Sequence, residues 1–284
     1  MNASLVRRSL VDLRWHIAWY GVGLAIYAAL MVLLYPTFEE FLRDVEYPEG
    51  FLDFFGGAGA NLSTPEGFIT TEYFSIAPVI MIIYAVVSGT GMLAGDEGRG
   101  TLEILLAQPI SRFRLFASRV AALLLGAVLI GLVNTLGWLL SVPFVDVGDT
   151  LGLGDLVFAT FAALPVVTFF GALAMLLGAI APSRGTAAGI LAALVIVTYL
   201  LASFSQTIEA LEWTRNVNPY WYSDGARALT EGVVWWHQGL LLGGAAILMA
   251  LAAVAFAGRE IDAGVWQPSA LARGWRLTSG GASV

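Results

Sequence analysis

Apolar residues in this chain come in long blocks rather than at the spacing of a soluble helix or strand. Six stretches, 17–35, 73–95, 120–145, 156–181, 186–204 and 233–258, are almost wholly apolar, and none contains an Asp, a Glu or an Arg. A hydrocarbon core of about 30 Å takes about 20 residues of helix. Backbone polar groups in lipid have to be bonded within their own segment, so these runs predict membrane-spanning helices. The expected fold is an all-α integral membrane protein, a single transmembrane domain over 1–284 with six transmembrane helices.

The polar segments between the blocks set its orientation. With the N-terminus in the cytosol, the inner segments carry Arg7, Arg8, Arg14, Arg99, Arg112, Arg114, Arg119, Arg184, Arg259, Arg273 and Arg276. The outer segments carry Arg43, Arg215 and Arg227. Arginine on the inner side is what the insertion machinery favours, so both termini are expected in the cytosol of a plasma-membrane protein. Carboxylates divide the other way, and the outer loop 36–72 holds eight of them. In the second large outer segment, 207–232, Trp213, Tyr220, Trp221 and Tyr222 suit a membrane-interface belt or a short re-entrant piece. Asn61-Leu62-Ser63 is a glycosylation sequon on that outer side.

Composition narrows the chemistry. Of 284 residues, 58% are hydrophobic and 12% charged, far from a soluble domain. There is no cysteine, which excludes disulfides, thiolate catalysis and thiolate metal sites. There is no lysine either, so a phosphate-binding loop with its essential lysine is impossible in this chain. The net charge of −7, with arginine as the sole basic residue, fits a salt-rich habitat and does not point to nucleic acid. Arg7-Arg8 ahead of an apolar run invites a twin-arginine signal reading. The run is too long for a signal core, and a permanent first span is expected.

Two inner segments read as short amphipathic helices. In 1–15, Leu5, Val6, Leu10 and Leu13 are apolar while Arg7, Arg8, Asp12 and Arg14 are charged, the pattern of a helix lying at the interface. In 96–112, Gly98 and Gly100 end the second span and Thr101 is placed to cap a new helix that Pro109 closes. Leu102, Leu105 and Leu106 share one face of it, and Glu103 lies on another. Such a helix can bury its leucines in a partner's groove, its charges fixing the orientation. An ordinary loop helix at the interface is the alternative.

The run Glu97-Gly98-Arg99-Gly100-Thr101-Leu102-Glu103-Ile104-Leu105-Leu106-Ala107-Gln108-Pro109-Ile110-Ser111-Arg112, placed after the second span, resembles the signature of ABC type-2 exporter permeases. The resemblance implies that this is a coupling helix seated on a separate ATP-binding subunit. Glu97, Arg99, Gly100, Thr101, Leu102, Glu103, Leu105, Leu106, Pro109, Ser111 and Arg112 would be its docking residues. It implies an elbow helix on the inner leaflet, with Arg7, Arg8 and Arg14, and a re-entrant hairpin beginning near Asn218-Pro219-Tyr220. It also implies a dimer, of two copies or with a homologous permease. This chain would bind no cofactor and catalyse no hydrolysis itself; ATP and magnesium would sit on the partner.

Competing readings rest on thinner ground. An ion-gradient-driven transporter needs ionisable residues near the midplane, and Asn134 is the one strongly polar residue there, better read as an interhelical hydrogen-bond partner. An ABC complex that transports nothing and relays force to an outer partner would use the acidic 39–72 loop. Gly152-Leu153-Gly154-Asp155 matches an intramembrane aspartyl protease motif, but no second Asp lies in any span, so a loop turn is the better reading. His16 and His237 fall at opposite faces and cannot serve one nucleophile. Met81 and Met92 could share a helix face, which core packing explains better than a copper path. Pro78 and Pro165 could kink their helices. Glycine pairs at Gly91/Gly95, Gly185/Gly189 and Gly239/Gly243 allow close helix contact, inside the bundle or between copies.

Overall fold

The computed structural model describes residues 3–43, 64–95, 111–145, 151–223, 227–229 and 232–258. These are helical throughout apart from short turns, with no strand among them. Six helical stretches are long and apolar enough to cross a membrane: Ala3–Glu39, Pro65–Ala94, Arg112–Phe144, Leu153–Ile180, Arg184–Thr207 and Trp235–Gly258. The expected number of spans is met, and most start earlier than their apolar blocks.

The starts are set by capping chemistry rather than hydropathy. The second span opens at a short helix, α2 (Pro65–Ile69), where Thr64 Oγ1 accepts from Gly67 N at 3.2 Å and Pro65 fills a position with no N–H to satisfy. One π-helical turn, Thr70–Phe74, leads to α3 (Ala77–Thr90), and another, Gly91–Gly95, ends the span. The third span is α4 (Arg112–Ser141), capped by Ser111 Oγ on Arg114 N at 3.3 Å. The fourth is split at Ala163 into α5 (Leu153–Ala162) and α6 (Leu164–Ile180). The fifth, α7 (Arg184–Thr207), is capped by Ser183, and the sixth is α8 (Trp235–Gly258). Pro78 and Pro165 both fall in first helical turns, where the ring costs no hydrogen bond, and so start helices rather than kink them.

The first helix departs from expectation. A separate interfacial helix over 1–15 is not set off from the span: α1 runs unbroken from Ala3 to Arg43. No Gly or Pro occurs between Ala3 and Tyr20, so nothing interrupts the hydrogen-bond ladder. At 1.5 Å per residue α1 is about 60 Å long, roughly twice the hydrocarbon thickness.

The second span is the centre of the bundle, with 67% of its most apolar window buried against 22% for the first and sixth. The main packing pairs are α1 with α4, α3 with α6, and α6 with α8, with α7 against α3. Between the π-helical turn Thr70–Phe74, α4 and α5 a polar network crosses the core. The Tyr73 hydroxyl donates to Asn134 Oδ1 at 2.8 Å, and Asn134 Nδ2 donates to Thr160 Oγ1 at 3.2 Å. Trp138 Nε1 donates to the same Thr160 oxygen at 3.1 Å. Asn134 is thus an interhelical partner, as its sequence setting indicated. Met81 and Met92 are both buried in the apolar core.

Candidate functional site: the arginine end of the bundle

Antiparallel packing brings alternate helix ends together. Arg7, Arg8, Arg14, Arg112, Arg114, Arg119 and Arg184 gather at one end of the bundle; Arg215 and Arg227 lie at the other. His16 belongs to the first end and His237, packed on Tyr222 with ring centroids 5.0 Å apart, to the second. Among the described residues the structure therefore groups these arginines as the loop-by-loop count did.

At the arginine end, three side chains bind carbonyls on neighbouring helices. Arg112 Nη1 reaches the Ala257 and Phe256 oxygens of α8 at 3.3 and 3.5 Å. Arg119, which is 3% exposed, donates from Nη1 to the Met92 oxygen in the π-turn that ends the second span. Arg184 Nη2 reaches the Val87 oxygen of α3 at 3.3 Å. Carbonyls in the last turn of a helix lack intrahelical donors and carry the negative end of the dipole, so a guanidinium is well suited to the Phe256 and Ala257 oxygens; the Val87 oxygen also accepts from Gly91 N within its own helix. The segment between α3 and α4 consequently leaves one clamped helix end and joins another. Of its expected docking residues, Ser111 caps α4 and Arg112 ties α4 to α8. Glu97, Arg99, Gly100, Thr101, Leu102, Glu103, Leu105, Leu106 and Pro109 lie outside the described residues, as does the sequon at Asn61.

Between these clamps and the first turns of α1 is a half-open cleft of about 430 Å³. Arg8, Asp12, Arg14, His16, Ser88, Arg119 and Arg184 contribute its polar wall. Leu13, Trp15, Met92 and Leu115 contribute apolar surface. Gly91 borders it because a Cβ there would stand 3.2 Å from the Arg184 guanidinium. The cleft was not visible in the sequence, since its walls come from four helices. The one available signal was the amphipathic start of α1.

The opposite end carries the folded segment after α7. A 3₁₀ stretch, Glu209–Val217, doubles the chain back, and Asn218 Nδ2 donates to the Thr198 oxygen at 2.7 Å. Thr198 is nine residues before the end of α7, roughly 13 Å down the helix at 1.5 Å per residue. The Tyr220 hydroxyl donates to the Ser75 oxygen at 3.1 Å, and burial, then the Tyr199 phenol, push its pKa up. Arg215 and Arg227 both stand over the Trp221 ring, each 4.9 Å from its centroid. Of the four aromatic residues read as an interface belt or a short re-entrant piece, only Trp213 is largely exposed; Tyr220 and Trp221 are half-buried and Tyr222 is buried. Trp235 and Trp236, at the start of α8, are exposed instead. The Gly152–Asp155 motif is a helix start: Asp155 Oδ2 accepts from Gly152 N at 3.2 Å.

No curated protein gives a significant match to this chain. Residues 11–257, from the first span through the last, match the family described as multidrug efflux system permease Rv1217c, C-terminal domain. The match covers most of the chain, so it belongs to this family and is a multi-pass membrane permease.

Proposed function

We propose that the chain is the membrane subunit of an ATP-binding-cassette exporter, of the type-2 class that its 97–112 segment resembles. The observation that carries the reading is the pair of clamps around that segment. Arg119 fastens the end of the second span to α4, and Arg112 fastens the start of α4 to α8. A push on the intervening residues is therefore delivered to three spans at once. An ATP-binding subunit seated on Thr101–Pro109 would supply that push. ATP and magnesium would sit on that subunit, because a chain without lysine has no phosphate-binding loop of its own. Two copies of the chain, or one copy and a homologous permease, would pair in the plasma membrane. The arginine end, with both chain termini, would face the cytosol. Efflux, as in the family description, fits the apolar spans, and amphipathic or hydrophobic cargo is the class such spans suit.

The test is affinity purification of the tagged chain in mild detergent, followed by mass spectrometry of what accompanies it. A near-stoichiometric ATP-binding protein is expected, and Leu105→Asp should remove it while leaving the permease monodisperse. Recovery of the permease alone, with the partner demonstrably expressed, would refute the ABC assignment.

A further inference from the structure

The cleft at the arginine end has chemistry that neither the fold nor subunit docking requires. Arg8 is exposed on α1 and Arg184 lies across Gly91, and neither makes an ion pair among the described residues. Arg184 uses one bond to the Val87 oxygen, leaving most of its five donors available. With Arg14 and Arg119 there are four guanidinium groups in the lining against one carboxylate, Asp12. In the same lining His16 Nδ1 is buried without a hydrogen-bond partner, whereas the buried Ser88 hydroxyl lies beside the Tyr84 phenol. A cationic wall with spare donors calls for an anion. Val11 and Trp15, both exposed, border the cleft on α1 and extend it toward the lipid-facing surface.

We propose that this cleft binds the phosphate head group of an anionic phospholipid, with Arg8 and Arg184 holding the phosphate and the acyl chains lying along Val11 and Trp15. Arginine forks match phosphate oxygens, and basic pockets between spans are suited to such head groups. The inference does not depend on the ABC reading, because it concerns lipid retention by the permease alone.

The test is native mass spectrometry of the full chain released from micelles containing equal phosphatidylglycerol and phosphatidylcholine. The wild-type chain should retain phosphatidylglycerol preferentially. The preference should fall about fivefold for each of Arg8→Gln and Arg184→Gln. Arg7→Gln, which removes a charge from the same helix end outside the cleft, should keep it. Arg8 makes no bond that the fold uses, so its variant remains informative if Arg184→Gln misfolds. Equal retention of the two lipids, or an unchanged preference in folded Arg8→Gln, would overturn the proposal. Dodecyl phosphate should displace the retained lipid at concentrations where inorganic phosphate does not; equal displacement by both would make this a free-anion site and overturn the lipid assignment.

Discussion

Gly137 brings α4 so close to α1 that a Cβ there would meet the Ala25 carbonyl oxygen and lie 2.8 Å from the Ala25 Cα. Gly126 leaves room for the Tyr84 hydroxyl, and a Cβ on Gly89 would stand 2.8 Å from the Ala174 methyl. These are the positions where small residues let helices touch. Of the pairs at four-residue spacing singled out in the sequence, Gly91 lies against the Arg184 guanidinium, and the other two pairs are different. Gly189, Gly239 and Gly243 face open space, and Gly185 meets only the Ser183 hydroxyl. Spacing marks a stripe on a helix but does not say which way the stripe points. Gly137→Ala should therefore lower the unfolding midpoint in detergent, at a cost of about 1–3 kcal/mol for overpacking against backbone. Gly189→Ala and Gly239→Ala should be nearly silent in the same thermal melt. A Gly137→Ala protein as stable as wild type would mean that α1 and α4 are further apart than described.

Helices begin where side chains satisfy their first N–H groups. Thr64, Ser111 and Ser183 do this for the second, third and fifth spans, whereas the sequence reading placed a cap only at Thr101. Hydropathy alone placed the second and third spans several residues late, because their opening stretches carry Glu66 and Glu72, and Arg112, Arg114 and Arg119. The long α1 was legible only in part: its amphipathic start was evident, but its continuity with the span was not. After α7 the chain returns along its own helix, held by Asn218 on Thr198. Asn218→Ala should release this fold-back at a cost of about 1 kcal/mol for one buried bond. Hydrogen exchange by mass spectrometry should then show faster exchange over 207–222, with α4 unchanged. Protection equal to wild type would assign the fold-back to the aromatic packing of Tyr220 instead.

For the whole molecule, the apolar stripes left facing outward meet either lipid or, on the proposed paired reading, a second subunit. Gly185/Gly189 lie on α7 and Gly239/Gly243 on α8, among exposed residues such as Ile190, Val197, Leu240 and Ile247. The chain has no cysteine, so single-cysteine variants report on pairing without background. If two copies pair, Gly189→Cys or Gly243→Cys should give an oxidised dimer band in membranes, whereas Met81→Cys, buried in the core, should not. No dimer band at either glycine position would exclude pairing of two copies through these stripes.

Long apolar blocks required spanning helices, because lipid offers no partner to an unpaired backbone group, and so the number of spans was readable from the residues in order. The separation of arginines to one end followed too, since it depends only on how many times the chain crosses. Contacts between spans are a different matter. That Asn134 joins Tyr73 to Thr160, that Arg119 and Arg184 clamp the second span, and that a cationic cleft opens beside α1 all depend on how the helices rotate about their axes. In nearly uniform apolar segments no period in the sequence sets that rotation. It is settled by shape, where a missing Cβ lets one backbone approach another and a buried polar atom has to find its partner.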